Sequence, residues 1–97
     1  QCAATAEVLP EICDALADEN IEILVDGGIR SGADVFKALA IGADAVIIAR
    51  PFVNSLFGGG AEGVRFYAEK IRAELEDVMM MCGAASLQDI NRAMIRL

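Results

Sequence analysis

Two short apolar runs, separated by a segment of helical periodicity, limit this chain to an α/β fold. Residues 21 to 25 (Ile-Glu-Ile-Leu-Val) and residues 43 to 49 (Ala-Asp-Ala-Val-Ile-Ile-Ala) have the length and β-branched content of buried strands. Between them, residues 31 to 40 predict a helix, with Ser31 as its N-cap and Gly42 just past its end. This order within roughly thirty residues is a βαβ unit, which implies parallel strands and a right-handed crossover.

Further helices are predicted on both sides of this unit. Apolar spacing favours a helix over residues 5 to 18, with Thr5 as N-cap, and a long amphipathic helix over residues 61 to 81. Residues 51 to 60 predict a loop with room for a short helix at residues 53 to 57. After Gly83, the sequence Ser-Leu-Gln-Asp at 86 to 89 resembles a capping box and predicts a last helix through about residue 95.

Composition excludes several kinds of partner. The chain has 97 residues, of which 56% are apolar, and a single small domain buries too little surface to hide so much apolar sequence in a monomer. The net charge of -7 and the scattered basic residues exclude nucleic acid and anionic membranes as partners. No apolar run approaches the roughly 18 residues that a membrane span requires.

The cysteine and histidine content limits the disulfides, general bases and metal sites that the chain can form. Cys2, Cys13 and Cys82 are odd in number and lack a C-x-x-C spacing, so we expect packing residues in a reduced, cytoplasmic protein. The sequence contains no histidine, which removes the commonest general base and metal ligand. The methionines at 79 to 81 lack a ligand spacing, so we expect them to pack at a helix end and predict no metal site.

The turn after the first strand predicts an anion site. The sequence Asp-Gly-Gly-Ile-Arg at 26 to 30 joins a strand end to a helix start, where free N–H groups and the positive end of a helix dipole meet. Taken alone, such a turn is equally compatible with a purely structural role. A second turn, Ala-Arg-Pro at 49 to 51, ends the next parallel strand at the same sheet edge. We therefore expect Arg30 and Arg50 to face one phosphate site, as in βα barrels.

The long helix offers two further interpretations. Tyr67 has core spacing and is predicted to pack with its hydroxyl in water. The acids of this helix indicate a solvated face, with ion pairs expected between Glu62 and Arg65 and between Glu69 and Arg72. The residues assigned to the solvated face are Glu69, Glu74, Glu76 and Asp77.

The stretch from residue 25 to residue 52 closely resembles the C-terminal part of the FMN-dependent α-hydroxy acid oxidoreductases, the family of glycolate oxidase, lactate oxidase and mandelate dehydrogenase. The resemblance rests on D-G-G-I-R at 26 to 30 followed by A-R-P-F at 49 to 52, where the family usually has G-R-P-F. It continues from about residue 5 to residue 95 and includes L-P-E-I at 9 to 12, E-G at 62 to 63 and E-L at 74 to 75.

The resemblance implies the C-terminal portion of a TIM (β/α)8 barrel, with residues 1 to 97 as one partial-barrel domain. The seventh and eighth strands would correspond to residues 21 to 25 and 45 to 48. It implies FMN as the cofactor, with its ribityl chain oriented by Asp26 and its phosphate bound by Arg30 and Arg50. Ala49 replaces the usual glycine and would loosen phosphate binding unless its φ is negative. The full set of cofactor-binding residues is Asp26, Gly27, Gly28, Ile29, Arg30, Ala49 and Arg50.

The resemblance also implies the oxidation of 2-hydroxy acids, such as lactate or glycolate, to 2-oxo acids. The family's histidine base and one substrate-binding arginine lie in a His-Gly-Gly-Arg stretch that we expect just before Gln1. We therefore expect no catalytic residue within these 97 residues, and whether the chain alone is an enzyme stays open. As partners we expect FMN or phosphate, and either further copies of the chain or the preceding barrel strands. The alternative is a non-catalytic half-barrel that self-associates and binds anions incidentally.

Overall fold

The computed structural model describes residues 2–96 and has a parallel βαβ unit at its centre. The strands β1 and β2 are parallel, with Val25 opposite Val46. The predicted βαβ unit is therefore confirmed. The elements in chain order are α1 (Thr5–Ala15), β1 (Leu24–Asp26), α2 (Gly32–Ile41), β2 (Ala45–Ile47) and α3 (Arg50–Cys82), followed by two 3-10 turns at Leu87–Asp89 and Arg92–Met94.

Both strands are shorter than the sequence predicts. The Ile23 N–H donates to the Asp44 carboxylate at 2.8 Å, and the Asp44 N–H donates to the Ile23 carbonyl at 2.8 Å. Because an aspartate side chain takes one of the ladder positions there, regular pairing begins only at Leu24. The predicted start at residue 21 is wrong for this reason. The second strand also ends earlier than predicted, because Ala49 is the N-cap of α3 and does not belong to β2.

The prediction that both strands are buried holds for Val25 in β1 and for Ala43, which was predicted in the second strand but precedes β2. Val25 is 5% exposed and belongs to the core, whereas Leu24 is 55% exposed and Ile47 is 43% exposed. The sheet has only two strands, and no other element within residues 2–96 covers the side chains of Leu24 and Ile47. The sheet therefore presents apolar side chains to solvent.

Helix α2 lies at the centre of the packing. It begins as predicted, because the Ser31 hydroxyl accepts a hydrogen bond from the Asp34 N–H at 3.2 Å, and Gly42 follows its last residue. One side of α2 packs against α1 and β1, and the other packs against the second half of α3. The first cluster contains Leu9, Cys13, Val25, Ala38, Ile41 and Ala43, and the second contains Phe36, Ala40, Ala84 and Ile90.

The short helix predicted at residues 53 to 57 is present, but the loop predicted around it at residues 51 to 60 is wrong, because α3 begins at Arg50 and residues 51 to 59 are helical. Pro51 suits this start, since the first turn of a helix has no intrahelical acceptor for the N–H that proline lacks. Gly60, with φ 59° and ψ -148°, interrupts the helical geometry and divides α3 into two segments. Gly83 ends the second segment, as the sequence predicts.

The outermost helices also differ from the predictions. The N-cap of α1 is Ala4 rather than Thr5, and the helix ends at Ala15 rather than at residue 18. The capping box of Ser86 and Asp89 is present, but it opens a 3-10 turn instead of a helix through residue 95. The extended backbone at Asn91, whose side chain accepts from the Ala93 N–H at 2.9 Å, starts a second turn and prevents a continuous helix.

Between residues 2 and 96, no helix is both long enough and apolar enough to cross a membrane. The same residues contain no cluster of histidine, cysteine, aspartate or glutamate side chains suited to a metal ion. The prediction that the methionines pack at the helix end holds for Met79, whereas Met80 and Met81 are 78% and 86% exposed.

The three cysteines differ in environment. Cys13 is buried in the core, whereas Cys2 and Cys82 are exposed, so the interpretation as packing residues holds for Cys13 alone. Burial raises the pKa of the Cys13 thiol above its usual value, and the positive charge of Arg92 only partly opposes this effect. A raised pKa leaves less of the reactive thiolate at a given pH.

We expect Cys13 to be alkylated at least about tenfold more slowly than the other two thiols at pH 8, because it combines a raised pKa with restricted access. Time-resolved mass spectrometry with iodoacetamide measures the three rates. In urea all three thiols should react alike, which serves as the control. Equal rates in the folded protein would contradict the burial of Cys13.

Candidate functional site

The two turns that follow β1 and β2 meet at one cavity. Its volume is about 490 Å³, and it lies at the carboxyl ends of the two strands. The structure brings together all seven residues that the sequence analysis predicts to bind an anion or cofactor. The lining consists of Asp26, Gly27, Gly28, Ile29, Arg30, Ile47, Ile48, Ala49, Arg50 and Pro51.

The turn after β1 depends on its two glycines. Gly27 has φ 100° and Gly28 has φ 79°, values that cost other residues about 1–2 kcal/mol each. A Cβ built at either position would meet no atom within 4 Å. The glycines are therefore required by backbone conformation rather than by crowding, and the space beside them stays open to a ligand.

The donors at the start of α2 are largely occupied by protein groups. The Arg30 N–H donates to the Asp34 carboxylate at 3.1 Å, and the Gly32 N–H donates to the Glu74 carboxylate at 3.1 Å. The Ser31 hydroxyl caps the Asp34 N–H. The sequence analysis expected free N–H groups at this turn for an anion, but that of Arg30 is engaged within the protein.

The start of α3, unlike that of α2, has no side-chain cap. Its N-cap is Ala49, which has no side-chain acceptor, so the N–H groups of the first turn lack a side-chain cap. The φ of Ala49 is -116°, a value open to any L-residue, so the alanine meets the condition that the sequence analysis set for phosphate binding. Together with Arg50, this uncapped helix start gives the cavity a positive end of a helix dipole.

Neither Arg30 nor Arg50 forms an ion pair within the described part of the chain. The ion pairs there join Arg65 to Glu62 at 4.0 Å, Arg72 to Glu76 at 3.0 Å and Arg92 to Asp14 at 2.9 Å. The predicted pair of Glu62 and Arg65 is present, whereas Arg72 bonds Glu76, one turn ahead of it, instead of Glu69. The two arginines of the cavity thus keep their charges available for an anionic ligand.

Three further residues support the site, and sequence reasoning assigned none of them to it. The Tyr67 hydroxyl donates to the Arg30 carbonyl at 2.6 Å; this bond is solvent-exposed, as the sequence predicts for the hydroxyl, but its protein partner was not predicted. Glu74 is half-buried against α2, so its assignment to the solvated face is wrong. Its burial could have been predicted from its spacing, because Glu74 follows the apolar Ile71 by three residues and precedes Val78 by four, which places it on the same helix face. Asp34, the third, has no comparable signal.

With its parallel βαβ unit and its arginine-bearing cavity, the chain belongs to the FMN-dependent dehydrogenase family, whose model matches residues 1–97. It is 46% identical over 90 residues to peroxisomal (S)-2-hydroxy-acid oxidase GLO4 of Oryza sativa subsp. japonica, covering 93% of this chain and 24% of that protein. It is 43% identical over 93 residues to L-lactate oxidase of Lactobacillus jensenii, covering 96% of this chain and 22% of that protein. The chain thus spans about a quarter of the length of these relatives.

Solved structures agree with this assignment. Mandelate oxidase with benzoyl-formic acid superposes with a TM-score of 0.85 at 44% identity, covering 90% of this chain and 26% of that one. A flavocytochrome b2 variant with sulfite bound gives a TM-score of 0.86 at 36% identity, covering 92% and 24%. These relatives are TIM-barrel flavoenzymes, and the resemblance stated from the sequence is confirmed. FMN is the cofactor of the family. The cytoplasmic location stays a prediction.

Proposed function

We propose that this chain is the FMN-phosphate-binding segment of an oxidoreductase that converts 2-hydroxy acids, such as lactate or glycolate, to 2-oxo acids. In this proposal residues 1 to 97 form one partial-barrel domain that contains the last two strands of the TIM barrel. The observation that carries the proposal is the meeting of two arginine-bearing turns at one cavity of about 490 Å³. The relatives, a 2-hydroxy-acid oxidase and an L-lactate oxidase, support the reaction class.

The residues of the cavity fit the phosphate end of FMN. A phosphate prefers N–H donors, cationic side chains and a helix N-terminus, and the cavity combines all three at Arg30, Arg50 and the uncapped start of α3. The open space beside Gly27 and Gly28 lets the ligand approach the backbone. The Asp26 carboxylate, at the end of β1, can accept hydrogen bonds from the ribityl hydroxyls.

The role of this chain is binding rather than catalysis. Bound FMN supplies the acceptor for the electrons that leave the hydroxyl-bearing carbon of the substrate. The sequence contains no histidine to act as the base, so the groups that remove the substrate proton and bind its carboxylate belong to other parts of the protein. Arg30 and Arg50 hold the cofactor from its phosphate end and thereby fix its position.

The test is the selectivity of the purified protein for FMN over riboflavin, which lacks the phosphate. We expect FMN to bind at least about tenfold more tightly, since a charge-assisted contact contributes roughly 1.5–3 kcal/mol. Inorganic phosphate should compete with FMN. Flavin fluorescence quenching measures both affinities. Equal affinity for FMN and riboflavin would exclude a phosphate-directed site.

A second function, self-association without catalysis, is favoured by the uncovered sheet. Leu24 and Ile47 in the strands are 55% and 43% exposed, and Ile21, which precedes β1, is 57% exposed; exposed apolar residues at a sheet with open edges favour association. Light scattering during the same flavin titration separates the two functions. A defined oligomer with no preference for FMN would support self-association alone, whereas selective FMN binding would support the first function at any mass.

A further inference from the structure

The Tyr67 side chain contacts both turns of the cavity. Its hydroxyl donates to the Arg30 carbonyl at 2.6 Å, in the turn after β1. Its ring meets the ring of Phe52, in the first turn of α3, edge to face, with centroids 4.9 Å apart and planes at 78°. Tyr67 also lines a smaller recess of about 280 Å³ with Arg30, Arg50, Pro51 and Asn54.

We propose that Tyr67 is a positioning residue that fixes the two phosphate-binding arginines relative to each other. Its hydroxyl holds the turn that carries Arg30, and its ring holds the helix start that carries Arg50. This inference rests on the proposed function and assigns to that site a residue that lies outside the lining of the 490 Å³ cavity.

The hydrogen bond to Arg30 has a specific consequence for that residue. The Arg30 N–H is bonded to the Asp34 carboxylate, and the Arg30 carbonyl is bonded to the Tyr67 hydroxyl. With the peptide groups on both sides of the Arg30 Cα anchored, the direction in which the side chain leaves the backbone is fixed. Removal of the hydroxyl leaves the carbonyl side of this residue without its protein partner and lets the peptide rotate.

The ring contact acts on the other arginine. Phe52 follows Arg50 by two residues in the first turn of α3. Edge-to-face aromatic pairs favour a defined geometry, so the position of Tyr67 is coupled to the start of α3. The hydroxyl and the ring of one side chain thus set the separation of the two turns.

The phenol keeps its proton through the neutral range. Burial raises the pKa of Tyr67, the negative charges of Glu74 and Asp34 raise it further, and the positive charge of Arg30 opposes them. Because the net pKa shift is upward, Tyr67 remains a hydrogen-bond donor to Arg30 wherever an unperturbed tyrosine would be protonated.

The experiment compares FMN and riboflavin affinities of the wild-type protein with those of Tyr67→Phe, which keeps the ring but removes the hydroxyl. We expect FMN affinity to fall about three- to tenfold, in line with the loss of one hydrogen bond, while riboflavin affinity stays unchanged. Phe66→Leu, at an exposed neighbouring position on α3, is the matched control and should change neither affinity. Amide hydrogen exchange at residues 29 to 31 should accelerate in Tyr67→Phe alone.

A double-mutant cycle with Arg30→Ala completes the test. If the hydroxyl acts through Arg30, the loss caused by Tyr67→Phe disappears in the Arg30→Ala background. An equal loss for FMN and riboflavin, or a loss that persists without Arg30, would overturn the positioning role. A wild-type preference for FMN that Arg50→Ala abolishes and Tyr67→Phe leaves intact would overturn this inference alone. No wild-type preference for FMN would overturn both this inference and the proposed function.

Discussion

Gly32→Ala should lower the free energy of unfolding by about 3 kcal/mol or more, because α2 and α3 touch at this glycine. A Cβ built on Gly32 would lie 2.6 Å from the Ile71 carbonyl oxygen and still closer to the backbone nitrogen of Leu75. Both contacts are with the backbone of a long helix, which cannot rotate out of the way as a side chain can. The helices must separate, and the bond from the Gly32 N–H to the Glu74 carboxylate is then strained or lost.

Urea denaturation followed by far-UV circular dichroism measures this change in stability. Gly58→Ala is the matched control, because Gly58 is also helical and a Cβ there would meet no atom within 4 Å. Alanine favours a helix over glycine by up to about 1 kcal/mol, so the control should keep or gain stability. A Gly32→Ala protein within about 1 kcal/mol of wild type would show that α2 and α3 do not pack as described.

The close contact at Gly32 illustrates which parts of the fold the sequence could predict. Apolar periodicity and the Ser31 cap predict α2 almost to the residue, because both signals are local. The approach of α2 to α3 joins residues about forty positions apart, and no local pattern marks Gly32 as a contact rather than a first helical residue. The same limit explains β1, whose start depends on the distant Asp44 carboxylate.

The loop predicted at residues 51 to 60 is wrong for a different reason. Pro51 and the three glycines at 58 to 60 favour a loop when each is taken by its average preference. In the structure, Pro51 occupies a first helical turn, and only Gly60 leaves the helical region. The proline and glycine content of such a segment favours a loop on average. Whether a loop forms depends on where these residues lie relative to the start of a helix.

The candidate site follows the same division. The meeting of the two turns was predictable because parallel strands end at the same sheet edge, whereas the full set of seven cavity residues was implied by the family resemblance. The groups that anchor these turns were not predictable, since Tyr67 and Glu74 reach them from α3 across 37 and 42 positions of sequence. Sequence motifs thus indicate which residues line the cavity, and the fold supplies the contacts that hold them in place.

Replacing both cavity arginines, Arg30→Ala with Arg50→Ala, should weaken FMN binding by about a hundredfold or more. Each charge-assisted contact to a phosphate contributes roughly 1.5–3 kcal/mol, and a loss of 1.4 kcal/mol is tenfold in affinity. Neither arginine forms an ion pair within residues 2–96, so the protein should keep its stability to within about 0.5 kcal/mol. Fluorescence titration with FMN measures the affinity, and riboflavin affinity should remain unchanged.

The matched control for this double variant is Arg65→Ala with Arg72→Ala. Both pairs of substitutions remove two positive charges and change the net charge from -7 to -9, since -7 minus 2 is -9. Arg65 and Arg72 have side chains that are 70% and 81% exposed and lie outside the cavity lining, so they report only on the overall field. An equal loss in both double variants would attribute FMN binding to net charge. A loss confined to Arg30 and Arg50 would attribute it to the two turns at the ends of β1 and β2.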